Sequence, residues 1–343
     1  MIQAAGAETK TKQVVGAILD LIREGKTFLI TSQLDPDGDS VGAQLALRRV
    51  ILAELGPGAE SRVAIVNQVG CPKRYAFLPE SEQIVTPEQV AGRSFDIGFV
   101  LDGGADRTGT CRPLFDACRK KVIIDHHKTT QAAGYDIPFI EPAMSSTAEM
   151  VFTVIDDERT KCQLDRSIAS QIYLGIIYDT GSFSYALTTS RTHLIAARLL
   201  DQGIRHADIA ERVMLESPLN AKILLGKTLN EMRLSSDGAI AWTSVSQKLA
   251  AETKTTDEDV RGIITQMIFI EGVRVALLFY ERDGGKVKLS LRSREGFDVA
   301  NFARQLDPGG GGHARAAGCT IAGTLDRVRE DVIATLTGQL KAA

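Results

Sequence analysis

Four short clusters of acidic and histidine residues each follow an apolar run. Gln33-Leu-Asp-Pro-Asp37-Gly-Asp39 comes after residues 27–31, and Asp102-Gly-Gly-Ala-Asp106-Arg107 comes after Ile97–Leu101. Asp125-His126-His127 follows residues 122–124, and Asp179-Thr-Gly-Ser follows residues 172–178. Carboxylates gathered in one place repel one another and have their pKa values raised; a divalent cation removes the conflict. Mostly oxygen donors with an imidazole suit Mn²⁺ or Mg²⁺. Two such ions about 3.5–4 Å apart would generate hydroxide near neutral pH and clamp a phosphoryl group for in-line displacement. Taken singly, each cluster fits a plainer role. Asp-Pro-Asp-Gly-Asp and Asp102-Gly-Gly are good turn sequences, Asp125 could cap a helix, and a histidine pair could be a polar loop. It is the recurrence of all four after apolar runs that points to one shared site.

The elements that must position these clusters follow from the apolar periodicity. Strand-like runs at 27–31, 62–66, Ile97–Leu101, 122–124 and Ile137–Ile140 alternate with helical spacing at 14–25 and 41–55. Ser146-Thr-Ala-Glu149 fits a capping box that opens a further helix through about residue 155. This alternation predicts an α/β fold with a doubly wound, mainly parallel sheet, whose ligands lie outside the carboxyl ends of the strands. Three clusters then share one rim, and the fourth arrives from a helix end. Residues 166–233 read as almost wholly helical, with helices at Ser190–Leu200 and 219–232. Farther on, strand-like runs at 273–281 and 286–292 flank Asp283-Gly-Gly, a hairpin signal, and helices follow near 299–305 and 325–340. The expected organisation is a catalytic α/β domain over 1–200, a helical connector over 201–233, and a smaller α+β domain over 234–343.

The second domain carries its own candidate site. Gly309, Gly310, Gly311 and Gly312 run together and lead into His313. Successive backbone N–H groups in such a run form an anion nest, with His313 as a further donor and Arg292 as a bidentate one. A flexible linker is the plainer reading of a glycine run.

Composition sets the outer bounds. The 343 residues carry Lys+Arg 40 against Asp+Glu 43, a net charge of −3, which argues against a protein tracking long nucleic acid. No run approaches the roughly 20 apolar residues of a membrane helix. The opening MIQAAGAETKTKQ lacks the order of a signal peptide. The five cysteines form no CxxC pair and read as reduced thiols, so a cytoplasmic location is expected.

In order along the chain, Asp37-Gly-Asp39, Leu101-Asp102 with Asp106-Arg-Thr-Gly109, Ile124-Asp-His-His127, Ser146-Thr-Ala-Glu149 and Tyr178-Asp-Thr-Gly-Ser182 resemble the successive motifs of the DHH phosphoesterases. Ser290-Leu-Arg-Ser-Arg294 and Gly309-Gly-Gly-Gly-His313-Ala-Arg-Ala-Ala-Gly318 resemble the DHH-associated second domain. Within that family the chain is most similar to oligoribonucleases of very short RNA that also dephosphorylate 3′-phosphoadenosine 5′-phosphate (pAp). The resemblance implies a metal-dependent hydrolase that acts on nucleotides or short oligonucleotides in an interdomain cleft. It implies two divalent ions, manganese before magnesium, and a homodimer. It carries metal roles onto Asp37, Asp39, Asp102, His126 and Asp179. Asp102 would bridge, Asp37 would complete the first ion's site, and Asp39, His126 and Asp179 the second's. His127 would sit at the scissile phosphate as a catalytic group, and Arg107 is a candidate phosphate partner. The family places a metal-binding histidine where this chain has Gln33. A Gln carbonyl oxygen can ligate, though more weakly than imidazole. Two alternatives stay open: a phosphodiesterase of cyclic or linear dinucleotides, and a nucleotide-binding protein whose catalysis is reduced by Gln33.

Overall fold

The structure, a computed structural model, describes residues 2–294 and 296–342. It divides into two compact units, Met1–Glu216 and Ser217–Ala343.

The first unit contains α1 (Ile2–Glu24), β1 (Phe28–Ser32), α2 (Gly38–Leu55), β2 (Val63–Val66), β3 (Ile84–Val85), β4 (Ile97–Leu101) and α3 (Arg112–Asp116). It continues with β5 (Lys120–Asp125), β6 (Ile137–Ile140), α4 (Thr147–Ile155), α5 (Arg166–Asp179), α6 (Ser190–Leu200) and α7 (His206–Ala210). Its six strands are parallel, in the order β3-β2-β1-β4-β5-β6. The chain winds outward from β1 to β3, then returns to β4 on the other side of β1. This reversal is where an open parallel sheet leaves a crevice at its carboxyl edge. Ser32 pairs with Leu101 and Leu101 with Ile124, so β1, β4 and β5 end at one level.

Burial on both faces explains why these strands are continuous apolar runs. Phe28, Ile30, Phe99, Leu101, Val122 and Ile124 join the core under α1, α2, α4 and α5. Their neighbours Leu29, Val100 and Ile123 point the other way, against Cys111, Phe115 and Cys118. Two glycines let α2 and α5 close up. A Cβ on Gly42 would lie 2.2 Å from the Gln171 carbonyl oxygen. One on Gly175 would lie 2.4 Å from the Ala148 Cβ and 2.6 Å from Asp39 Oδ1. The start of α2 and the end of α5 are thereby brought together.

The stretch 201–233, which periodicity reads as a connector, is shared between the units. Ile204, Ile209 and Val213 are buried in the first unit's core, whereas Leu224 is buried in the second's. A run of short helices has no sequence mark for the point where its apolar face changes partner.

The second unit contains α8 (Leu219–Asn230), β7 (Arg233–Leu234), β8 (Ile240–Val245), α9 (Gln247–Thr253), α10 (Asp257–Arg261), α11 (Ile263–Ile268), β9 (Val275–Arg282) and β10 (Lys286–Ser293). It ends with α12 (Val299–Leu306), β11 (Gly311–His313), β12 (Ala316–Ala322) and α13 (Leu325–Ala342). The sheet order is β11-β12-β10-β9-β8-β7, with β8 and β9 parallel and the other neighbours antiparallel. The expected hairpin is present: β9 and β10 pair about Asp283-Gly284-Gly285, where both glycines take positive φ, 71° and 66°. One sheet face packs on α12 and α13, the other on α8 and α11.

Candidate metal centre

Each cluster is set in place by local chemistry at the sheet's carboxyl edge. After β1 the chain turns, and Asp37 caps α2: its Oδ1 accepts from the backbone N–H groups of Asp39 and Ser40, each at 3.0 Å. Asp39 then sits in the first turn of α2. Both its oxygens accept from the N-terminus of α4, from Thr147 N at 2.6 Å and Ala148 N at 2.8 Å. The start of α4 is itself fixed. Ser146 caps it through Glu149 N, and buried Glu149 accepts from Ser145 Oγ at 2.5 Å, Thr192 Oγ1 at 3.2 Å and Arg191 Nε at 3.0 Å. The capping box read from the sequence thus closes on Ser145 rather than on the Ser146 N–H.

Asp102 ends β4 with φ at 57°, a left-handed conformation for a residue other than glycine, and its N–H donates to Ile124 O. Its Oδ2 accepts from Ser40 Oγ at 2.5 Å. At the end of β5, Asp125 is fully buried; its Oδ1 accepts from the His127 backbone at 3.2 Å and meets His127 Nδ1 at 2.7 Å, while Thr130 Oγ1 donates to Oδ2. The ring of His127 is therefore oriented by a carboxylate. At the end of α5, Asp179 Oδ2 lies 2.9 Å from His126 Nε2. His126 Nδ1 is buried and has no hydrogen-bond partner among the described residues.

Ligand atoms of Asp39, Asp102, His126 and Asp179 all lie within 4.8 Å of one another, and those of Asp102, His126 and His127 meet the same limit. Burial, followed by repulsion from Asp102 and Asp179, raises the pKa of Asp37 and Asp39 well above the usual carboxylate range. Burial also raises Asp179, against the bond from His126. Burial alone would lower His126, but its bond to Asp179 and the charges of Asp179, Asp39 and Asp102 push it up to about 10. An imidazole pKa pushed up among three carboxylates reflects concentrated negative charge, which a cation would neutralise. The donor set fits a divalent cation such as Mn²⁺ or Mg²⁺.

Asp37 and Gln33 stand beside this group. Gln33 Nε2 lies 3.1 Å from Asp102 Oδ2 and 3.4 Å from Asp37 Oδ2, and Gln33 Oε1 accepts from exposed Arg107 at 2.6 Å. The sequence reading allows Gln33 to ligate through its carbonyl oxygen; in the structure the amide nitrogen faces the carboxylates instead, because the guanidinium takes the oxygen. A pocket of about 350 Å³ is lined by Arg107, Arg112, Lys121, Thr130 and Tyr135, with Asp106 and Asp116 at its wall; it meets the centre's surroundings through Arg107, which bonds Gln33, and Thr130, which bonds Asp125. Ser40 and Thr130 lie outside the four sequence clusters, and Asp125 stands in the third cluster without a role of its own. Ser and Thr carry no spacing signal, and the inward turn of Asp125 depends on the loop that follows it.

In the second unit the glycine run serves two elements. Gly309 and Gly310 close the turn after α12, where Gly310 N donates to Asp307 O at 2.8 Å and a Cβ on Gly310 would lie 2.6 Å from Ala303 O. Gly311 and Gly312 begin the edge strand β11, and Gly312 has φ 138°. Arg292 and His313 both register with Ala316, on either side of β12, so they occupy one row of the sheet. The side chain of His313 lies outside the described residues.

Comparison with known proteins agrees with this architecture. Residues 27–176 match the DHH family N-terminal domain, and residues 243–342 match the DHHA1 domain. The chain is 30% identical over 333 residues to the bifunctional oligoribonuclease and PAP phosphatase NrnA of Thermus thermophilus, spanning 96% of this chain and 95% of that one. It is 25% identical over 299 residues to the protein of the same name from Bacillus subtilis, spanning 86% and 89%. A crystal structure of an exopolyphosphatase-related protein from Bacteroides fragilis shares the fold, with a TM-score of 0.86, 23% identity and coverage of 96% and 98%. With both domain models matched and nearly the whole length alignable to NrnA, the chain belongs to the DHH family.

Proposed function

We propose that this protein is a hydrolase of short oligoribonucleotides and of pAp, working with a divalent cation held by Asp39, Asp102, His126 and Asp179. The carrying observation is that these four ligand atoms converge within 4.8 Å at the carboxyl edge of the parallel sheet. The bifunctional oligoribonuclease and PAP phosphatase names of its relatives supply the substrate class. Bound there, a divalent cation would make a nucleophile of water near neutral pH and neutralise charge on the phosphoryl group. The family resemblance implies a second ion beside Asp37 and Asp102, at the position that Gln33 occupies; the proposed activity rests on the first seat alone.

The chain's own residues do the rest. Asp125 holds His127 Nδ1 and favours the doubly protonated ring, so the other nitrogen meets substrate and gives its proton to the leaving oxygen. Arg107 lines a pocket and offers a phosphate partner. In the second unit, Arg292 and the strand Gly311–His313, paired on either side of β12, with Gly310 in the turn before that strand, offer a phosphate-binding group of that unit. The five free cysteines, four of them buried, favour a cytoplasmic setting. Among the described residues no helix is long and apolar enough to cross a membrane.

The test is a substrate panel with Mn²⁺ or Mg²⁺: pAp, di- and triribonucleotides, a cyclic dinucleotide and pyrophosphate, read by released phosphate and mononucleotide. Turnover of pAp and of the linear dinucleotide is expected. Preference for the cyclic compound would replace this activity with that of a cyclic dinucleotide phosphodiesterase. Tight binding without turnover would make the protein a nucleotide-binding one.

A further inference from the structure

Granted the proposed seat at Asp39, Asp102, His126 and Asp179, we infer that this chain holds one divalent cation there and no second. The Gln33 side chain, fixed by Arg107, stands where a second ion would share Asp102 and draw on Asp37. Gln33 Nε2 reaches Asp102 Oδ2 at 3.1 Å, and Asp37 Oδ2 and Ser40 Oγ at 3.4 Å each. An amide nitrogen has its lone pair delocalised and does not ligate a metal; it offers two donors. Turning the amide over would set its oxygen against two carboxylates and its NH₂ group against the Arg107 guanidinium. Attraction would become repulsion at both ends, so the surrounding charges fix the orientation.

One oxygen of each of the other donors a second ion would need is already engaged. Asp37 Oδ1 caps α2, and Asp102 Oδ2 accepts the Ser40 hydroxyl at 2.5 Å. The loop carrying Arg107 is tied to that of Gln33, since Leu34 N donates to Arg107 O at 2.7 Å. The side chain of Arg107 therefore starts from a fixed point next to the amide. The positive charge beside the single ion is then supplied by a guanidinium.

The experiment counts Mn²⁺ on the full-length protein by equilibrium dialysis and reads its spin state by electron paramagnetic resonance. The wild type should bind one Mn²⁺ per chain, with the spectrum of an isolated ion. Gln33→His should bind two, with a spin-coupled spectrum. Asp37→Asn keeps a capping residue on α2 and should leave the count at one, whereas Asp179→Asn should lower it to zero. Two coupled ions in the wild type, a lost ion in Asp37→Asn, or a single ion in folded Gln33→His would each overturn the inference. No bound ion in the wild type would instead overturn the metal seat itself, and the inference with it.

Discussion

Gly175→Ala tests the geometry that joins α2, α4 and α5 at the centre. In an exposed helix this change is favourable by up to about 1 kcal/mol. At Gly175 the added methyl would lie 2.4 Å from the Ala148 Cβ and 2.6 Å from Asp39 Oδ1, where ordinary contact begins near 3.4 Å. The helices must part by roughly 1.0 Å, the gap between 2.4 and 3.4 Å, and Asp39 must move by roughly 0.8 Å, the gap between 2.6 and 3.4 Å. Overpacking of this kind costs about 1–3 kcal/mol, which outweighs the helix propensity gained. A fall of a few degrees in Tm is expected, at about 2–4 °C per kcal/mol. Asp39 is pinned by Thr147 N and Ala148 N, so its displacement strains the metal seat as well. Misplacement approaching 1 Å at a reacting centre costs about 100-fold in turnover. Gly226→Ala is the control: it lies in α8, where a Cβ would meet nothing within 4 Å, and it should raise Tm slightly. The assays are thermal unfolding, Mn²⁺ titration and turnover of pAp. If Gly175→Ala behaved as Gly226→Ala does, with Mn²⁺ affinity intact, the close packing described here would be refuted.

Further outcomes follow from other contacts. Asp125→Asn should lower kcat by about 100-fold or more with the Mn²⁺ count unchanged, because His127 loses the carboxylate that holds its proton on Nδ1; an unchanged kcat would remove His127 from proton transfer. Arg292→Ala should raise KM for pAp about 10-fold or more, as loss of a charged hydrogen bond to phosphate would, with Tm and metal count unaltered; an unchanged KM would take Arg292 out of the substrate site. The metal-free protein should lose stability as pH rises from neutral. His126 titrates at about 10 in the folded chain against 6.5 unfolded, so its stabilisation is complete below 6.5 and is lost as pH climbs through about 10. The raised pKa values of Asp37, Asp39 and Asp179 act with the same sign from lower pH. Added Mn²⁺ should therefore raise Tm more at about pH 8.5 than at about pH 6, measured by thermal unfolding; an equal rise at both would refute the linkage.

Much of the first unit is legible along the chain. Runs such as Ile97–Leu101 and the core of β5 have no polar side to show, which marks strands covered on both faces, and each ends in a cluster of ligand residues. The hairpin at Asp283-Gly284-Gly285 is read as directly, since its turn needs positive φ. Other elements are not. β3 has two residues, β8 reads Ile-Ala-Trp-Thr-Ser-Val with little contrast, and β11 is built from the glycine run itself. Residues 2–13 of α1 lack the apolar stripe that would announce a helix.

The sequence by itself determined that the first three clusters reach one edge, because apolar runs set where strands end and a parallel sheet aligns those ends. Tertiary structure alone decided what each gathered group does. The grip of α4 on Asp39, the hydroxyl of Ser40 on Asp102, and the turn of the Gln33 amide toward carboxylates all join residues distant in the chain. Hydrophobic periodicity is summed over many residues and survives in the linear order. The direction of a single hydrogen bond depends on one partner, and that partner is fixed only when the chain has closed around it.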